Sequence, residues 1–228
     1  MEFDASPLWI SIKTAAVSTF ITFFCGMFAA KLTAARKGKL KGIIDGIFML
    51  PLVLPPTVVG FFLLLLFGRN GPAGRFLMKL GLTAIFSWPA TVIAATVVAF
   101  PLMYKTARAA FEQIDANILD VARTLGISRW KSFWKISLPL ALPGVVAGGI
   151  LSFVRALGEF GATIMVAGNI PGKTQTIPVA IYFAVEGGEM DKAVIWVVLI
   201  VSISFISVFL MNFWLEHQGR FAKMLGRK

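Results

Sequence analysis

The sequence predicts an all-α integral membrane protein with about five transmembrane helices, and two features carry that prediction. First, hydrophobic residues make up 57% of the 228 residues and charged residues only 14%, with a mean hydropathy of +0.82. A soluble domain is about 45–50% apolar and about 25% charged. Second, the apolar residues fall into long stretches. These features disfavour a disordered chain and a soluble globule, and the single cysteine, Cys25, disfavours a disulfide-stabilised scaffold.

Five stretches are long enough to cross a bilayer, which needs roughly 20 residues of apolar helix. They are apolar nearly all round, which is typical of membrane helices rather than amphipathic surface helices. A further apolar segment, 177–185, is too short to span, so we expect a short external helix, with a re-entrant segment as the alternative. The N-terminus has no basic residue in its first four positions and does not resemble a secretory signal. The five stretches are residues 9–32, 43–67, 85–104, 138–166 and 193–214.

The distribution of basic residues predicts the orientation. Fifteen of them lie in or beside the loops that follow the first and third stretches and in the C-terminal tail, against five on the opposite side. Basic residues are retained in the cytoplasm. We therefore expect the N-terminus outside and the C-terminus inside, with residues 1–228 forming one membrane domain. The net charge of +11 then belongs to loops that flank membrane lipid, and a nucleic-acid partner is not expected.

The largest predicted cytoplasmic loop, 105–137, contains two short helices. Residues 118–125 lack Gly and Pro, Asn117 is a candidate N-cap, and Gly126 is a natural C-terminal stop. Residues 129–136 form the second predicted helix.

Ser128 is the candidate cap of that second helix, and Trp130 shares a face with two further aromatic residues flanked by basic ones. This arrangement is typical of a membrane interface. One interpretation is that the two short helices, with a stop between them, form a rigid surface to which a cytoplasmic partner binds. The alternative is an interfacial connector without a partner.

Charged residues inside the fourth stretch share one predicted helix face. Arg155 and Glu159 are spaced i, i+4, and Thr163 continues the same predicted face. Arg155 lies about 24 Å of helix beyond the cytoplasmic start of this stretch. Because charges in a bilayer are costly, this face either lines a path for an anion or forms an ion pair that fixes helix packing. In the second stretch, Pro55 and Pro56 interrupt the helix, which favours a path-lining or gating bend, or a bend needed only for packing.

Several other chemistries are disfavoured. Residues 167–174 nearly match a phosphate-binding loop, but they follow a membrane helix and fall on the external side. We interpret them as an external turn, with Lys173 as a candidate contact for a substrate-delivery protein. The single histidine, His217, lies in the basic tail, so neither a Ser-His-acid catalytic site nor a metal site is predicted.

The cytoplasmic loop resembles the signature of permease subunits of bacterial ABC importers: Glu-Ala-Ala, three residues, Gly, nine residues, Ile-x-Leu-Pro. Asp120 and Ala122 occupy the first and third positions, Gly126 follows at the right spacing, and residues 136–139 complete the pattern. The departures are Asp120 for Glu and Val121 for Ala. Residues 50–60, 155–164 and 169–178 are similar to the molybdate permease subfamily, and sulfate and thiosulfate permeases share a segment like that around Arg155.

The resemblance implies a type I ABC importer permease fold and a non-catalytic subunit that imports molybdate, or tungstate. It further implies a homodimer in the inner membrane of a bacterium or archaeon, two ATPase subunits that hold the ATP and Mg²⁺, and an external oxyanion-binding protein; no cofactor is expected in this chain. A sulfate or thiosulfate permease and a stand-alone channel are the alternatives. The residues expected to couple to the ATPase are Asp120, Ala122, Arg123, Thr124, Leu125, Gly126 and Trp130. Those expected in the translocation path are Arg155, Glu159, Thr163, Pro55 and Pro56.

Overall fold

The structure, a computed structural model, describes residues 4–36 and 38–225, with side chains up to residue 216. Within these ranges the chain is helical and contains no strand, as predicted. One π-helical turn, Phe133–Ser137, joins two of the helices. The α-helices are α1 (Ser6–Ala34), α2 (Lys39–Val53), α3 (Pro56–Phe67), α4 (Pro72–Lys79), α5 (Trp88–Glu112), α6 (Ala116–Thr124), α7 (Arg129–Ser132), α8 (Leu138–Leu157), α9 (Gly161–Ala167), α10 (Ile177–Glu186) and α11 (Met190–Leu225).

Four helical segments in the described chain are long and apolar enough to cross a membrane: Ser6–Ala34, Trp88–Glu112, Arg129–Leu157 and Met190–Glu216. The second predicted span, 43–67, is not a continuous helix. Its two halves, α2 and α3, meet at an angle of 109°. The break follows from Pro55 and Pro56, which lack the N–H groups that would continue the helix, and from Leu54, which is extended as expected for a residue before proline.

The fourth predicted span, 138–166, is also interrupted, so the expectation of one continuous helix is wrong. α8 ends at Leu157, and residues 158–160 separate it from α9. At its other end this helix is longer than predicted, because the π turn makes Arg129–Leu157 continuous. α5 likewise runs on to Glu112, so the predicted loop 105–137 reduces to residues 113–128 between the two long helices.

The core lies where α1, α5 and α8 pack against one another through small residues. A Cβ atom added to Gly144 would lie 2.5 Å from the Cβ of Ala110, and one on Gly26 would lie 2.7 Å from Cγ of Met103. Gly148 faces α5, and Gly149 faces Phe23 of α1. The glycine spacing in α8 therefore serves close packing within the chain.

Contacts along these helices fix their relative directions. The Thr14 and Thr91 hydroxyls are 2.9 Å apart, and the Tyr104 and Thr33 hydroxyls are 3.0 Å apart. Hence α1 and α5 run in the same direction. α8 runs in the opposite direction, because its Gly144 lies at Ala110 of α5 and its Ser152 at Ala99. We call the end of the bundle that holds residues 35, 36, 38 and 113–128 the basic end, which the charge pattern assigns to the cytoplasm.

α10 lies at the other end, which we call the outer end. The backbone N–H of Ile177 donates to Ser11 Oγ at 2.7 Å, and α10 packs against Trp196 in α11. With ten residues it is too short to cross a bilayer. Its position on the first turns of α1 and α11 favours the short external helix over a re-entrant segment.

Candidate functional site

The first candidate site is α6 at the basic end. The Asp115 carboxylate accepts the Asn117 N–H at 2.9 Å, so Asp115 is the N-cap and the prediction of Asn117 is wrong by two residues. Gly126 has a φ of +71°, and its N–H donates to the Arg123 carbonyl at 3.0 Å. The predicted stop at Gly126 is therefore confirmed, since a left-handed residue after the last turn favours glycine.

Ser128 caps α7 as predicted, because its Oγ accepts the Lys131 N–H at 3.3 Å. α6 and α7 expose apolar side chains, with Leu125 at 73% and Trp130 at 70% of full exposure. We call this set the docking surface. Because these groups lie in the segment between two membrane-spanning helices, they are a candidate interaction site. The docking surface consists of Ile118, Val121, Leu125, Trp130 and Trp134.

The other residues that were predicted to couple to a partner include both exposed and buried side chains. Asp120 and Arg123 form an ion pair of 2.8 Å on the outside of α6, each side chain 63% exposed. The Thr124 hydroxyl donates to the Val121 carbonyl at 2.8 Å. Ala122 is buried at 3% exposure. Ala122 therefore anchors α6 and cannot itself contact a partner.

The second candidate site is the region where the two helix breaks meet. A Cβ atom on Gly161 would lie 3.0 Å from Cβ of Pro56, and one on Gly60 would lie 2.9 Å from Cα of Ala162. The start of α3 and the start of α9 are thus in direct contact. The sequence predicted the break at Pro55 and Pro56 but gave no signal that another break lies beside it.

Arg155 and Glu159 form the predicted ion pair across this second break. Arg155 Nη1 is 2.9 Å from Oε2 of Glu159, without the alignment of a hydrogen bond. Oε1 of Glu159 accepts the Ala162 N–H at 2.8 Å. The Glu159 side chain is 2% exposed and that of Arg155 is 27% exposed. The carboxylate therefore holds Arg155 and the start of α9 together, and Arg155 retains the freer donors.

The expectation that Thr163 continues the face of Arg155 and Glu159 is wrong. Glu159 lies after the end of α8, and Thr163 belongs to the separate helix α9. The Thr163 side chain is 1% exposed. Pro55 is exposed and Pro56 half-buried. Thr163 thus packs inside the chain, while Arg155 and Pro55 remain accessible.

The turn at the outer end uses its own polar groups internally. The Thr174 hydroxyl accepts the Ile170 N–H at 3.0 Å and lies 3.3 Å from the Gly168 carbonyl. A phosphate-binding loop would need that hydroxyl for a metal ion, so the turn does not bind nucleotide in this way. Lys173 is exposed.

A polar cluster at the basic end was missed by the sequence reasoning. Arg108 Nε is 2.8 Å from Glu112, whose carboxylate is also 2.7 Å from Lys41 Nζ. Asp45 of α2 accepts a hydrogen bond from Tyr104 of α5 and forms an ion pair with Arg108 of the same helix. The available signal was one acid, Asp45, within an otherwise apolar stretch. The cluster ties α2, in which no residue is fully buried, to α5.

The described residues contain no group of three His, Cys, Asp or Glu side chains that could hold a metal ion. The two candidate sites are thus not metal sites. One is the exposed apolar docking surface at the basic end, and the other is the pair of helix breaks within the bundle. Together with the membrane-spanning helices, they define a multi-pass membrane protein with a candidate surface for a partner.

Comparison with known proteins identifies the family. The family described as "Binding-protein-dependent transport system inner membrane component" matches residues 22–220, and this chain belongs to it. The chain is 47% identical to YvgM of Bacillus subtilis (strain 168) over 208 residues, covering 91% of this chain and 92% of that protein. It is 42% identical to the "Molybdenum transport system permease protein ModB" of Escherichia coli (strain K12) over 221 residues, covering 94% and 96%.

Solved structures show the same fold. A chain of the methionine ABC transporter in inward-facing conformations superposes with a TM-score of 0.69 at 18% identity, covering 92% of this chain and 94% of that one. A chain of a bacterial ABC transporter for the polysaccharide alginate superposes with a TM-score of 0.75 at 16% identity, covering 93% and 78%. The predicted ABC importer permease fold is thereby confirmed.

Proposed function

We propose that this chain is the permease subunit of an ATP-driven importer that carries molybdate, or tungstate, into the cytoplasm by alternating access. The observation that carries the proposal is the docking surface around α6, because its exposed apolar side chains require a partner and its Gly126 stop matches the importer loop signature. The relatives in Escherichia coli and Haemophilus influenzae are named molybdenum transport permeases, which supports molybdate as the substrate.

The proposed assembly contains two copies of this chain, two ATPase subunits and an external oxyanion-binding protein, in the cytoplasmic membrane of a bacterium or archaeon. The family description names a binding-protein-dependent system, and the structural neighbours are chains of ABC transporters. ATP and Mg²⁺ belong to the ATPase subunits. This chain holds no cofactor and catalyses no reaction of its own.

The continuous helix Arg129–Leu157 supplies a mechanical link between the two sites. Its first turn carries Trp130 of the docking surface, and its last turn carries Arg155 beside the break at Gly158. We infer that closure of the ATPase subunits shifts α6 and this helix together, so that the far end moves against α9. The ATPase drives the change only by binding one conformation more tightly than the other.

Arg155 is the proposed oxyanion contact in the path. A guanidinium offers paired planar donors that suit a tetrahedral oxyanion. Glu159, held by the Ala162 N–H, partly neutralises it. A transport path should bind its ion weakly enough to release it, and the ion pair fulfils that requirement. At the outer end, exposed Lys173 is the proposed contact for the binding protein.

Uptake in reconstituted vesicles tests the substrate. The chain would be combined with its ATPase and binding protein. ATP would be supplied on the side of the vesicle membrane that holds the ATPase, and transport of labelled molybdate to that side would be followed. We expect ATP-dependent molybdate uptake that excess sulfate does not suppress. Sulfate uptake would instead make the protein a sulfate or thiosulfate permease. Anion flux without the ATPase would make it a stand-alone channel.

Gly126→Pro tests the coupling role directly. Proline cannot adopt the φ of +71° and removes the N–H that closes α6 on Arg123. We expect at least a tenfold loss of uptake per ATP hydrolysed, measured in the same vesicles, with normal membrane insertion. Gly126→Asn, which tolerates a positive φ, is the matched control. Full uptake by Gly126→Pro would contradict the docking of α6.

A further inference from the structure

A groove of about 360 Å³ between α1 and α2 at the basic end is not used by the proposed transport mechanism. Its walls come from Phe28, Leu32, Ile44, Ile47 and Phe48, with Ala29 and Thr33 at its floor and Arg36 at its end. Phe28 is 63% exposed and Ile47 is 58% exposed. The groove is thus open on the side that these apolar residues present to lipid.

The mouth of the groove is positively charged. Residues 31–44 contain five basic residues and no acidic residue. Lys41 pairs with Glu112 at 2.7 Å. Arg36 and Lys39 are exposed, and neither forms an ion pair within the described residues. The groove therefore combines apolar walls with unneutralised cations at the level where the bundle leaves the bilayer.

We propose that this groove binds one anionic phospholipid of the cytoplasmic leaflet, with an acyl chain between α1 and α2 and the phosphate beside Arg36. Six residues of helix, about 9 Å, separate Phe28 from the end of α1 at Ala34, and Arg36 follows two residues later. The groove therefore follows the part of an acyl chain next to its headgroup. Basic pockets between membrane helices on the cytoplasmic side are suited to anionic headgroups. An apolar helix from a second copy would leave Arg36 without a counter-charge.

The bound lipid would support α2, which is weakly packed. α2 has no fully buried residue, and apart from the polar cluster around Asp45 it packs on the core through Phe48 and Met49. An acyl chain in the groove would cover Phe48 and Ile44 from the other side. The proposal does not depend on which anion the protein transports.

Native mass spectrometry of the purified full-length protein tests the proposal, with phosphatidylglycerol and phosphatidylcholine of identical acyl chains as probes. We expect tighter retention of phosphatidylglycerol. Arg36→Gln should reduce that preference about fivefold, as expected for one basic residue at an anionic surface. Lys135→Gln, an exposed basic residue at the same end, is the matched control. Equal preference in Arg36→Gln and the control would overturn the headgroup assignment.

A second pair of variants tests the groove itself. Ala29→Phe fills its floor and should lower retention of both lipids at least fivefold, whereas Ala16→Phe on the exposed side of α1 should not. Ile47→Trp on the opposite wall is the substitute if Ala29→Phe does not fold, and Ile43→Trp, which is 61% exposed outside the groove, is its control. Unchanged lipid retention with a loss of dimer would assign the groove to a contact between two copies and overturn the proposal.

Discussion

The docking surface and the paired helix breaks both depend on an interruption at glycine, but they leave their side chains in opposite states. After Gly126, Trp130 remains 70% exposed. After Gly158, Glu159 is 2% exposed, and its two oxygens engage Arg155 and the Ala162 N–H. The first site is incomplete without a partner, and the second is satisfied within the chain. Substitutions should therefore weaken association at the first site and stability at the second.

The largest expected effect is that of Arg155→Leu. Removing the cation leaves the buried Glu159 charge uncompensated, and breaking such a pair costs about 3 kcal/mol at the lower end of the usual range. Because Arg155 is 27% exposed, the lower end applies. Thermal unfolding in detergent measures this loss.

The double variant Arg155→Leu/Glu159→Gln distinguishes packing from transport. Glutamine keeps an oxygen that can accept the Ala162 N–H, so we expect stability to recover while molybdate uptake stays at least fivefold reduced. Recovery of uptake together with stability would leave the pair a packing role only.

Gly60→Val should have the next largest effect. Its side chain would meet Met165 and Ala162 at 2.8–2.9 Å, and overpacking of this kind costs about 1–3 kcal/mol. Gly46→Val in α2 is the matched control, since nothing lies within 4 Å of a Cβ there. Chemical unfolding of both variants checks the difference. Similar stabilities would mean that α3 and α9 are not held in close contact.

Trp130→Ala should leave stability unchanged and weaken association with the ATPase subunit. A large exposed aromatic residue in an interface is worth about 2 kcal/mol, which is roughly thirtyfold in affinity. Titration of the ATPase against the permease in lipid discs measures this. Phe20→Ala, at a residue 66% exposed on α1, should leave the affinity unchanged. An unaffected affinity in Trp130→Ala would remove it from the docking surface.

Asp120→Asn should have the smallest effect. Its ion pair with Arg123 is 63% exposed on both sides, and such pairs contribute about 0–1 kcal/mol. In the same titration the affinity for the ATPase should change by less than about threefold. The free energy of unfolding should change by less than about 1 kcal/mol. A tenfold loss of affinity would instead show that Asp120 contacts the partner directly.

Residues whose signal is local were predicted well from the sequence. The apolar stretches identified α1, α5, α8 and α11 as membrane helices. Gly126 and Ser128 were correctly expected to end α6 and begin α7, because a positive φ and a capping hydroxyl depend only on neighbouring residues. The shift of the N-cap from Asn117 to Asp115 is a local competition between two good capping residues.

Features that depend on distant contacts were not predicted. The break at Gly158 has no proline to signal it. It becomes stable because the Glu159 carboxylate satisfies an N–H of α9 and because Gly60 and Gly161 allow α3 and α9 to touch. The cluster around Asp45 joins residues 59 to 71 positions apart, so no local pattern reveals it.

The sequence by itself determined the membrane class, the number of apolar segments, the charge asymmetry and the loop signature at residues 120–139, because hydrophobicity, charge and turn preferences belong to the residues themselves. The tertiary structure decided which helices bend, that the two breaks meet, that Thr163 is buried, and that Arg155 keeps accessible donors. Those outcomes depend on which backbone groups can be satisfied by distant parts of the chain where no water is present to replace them.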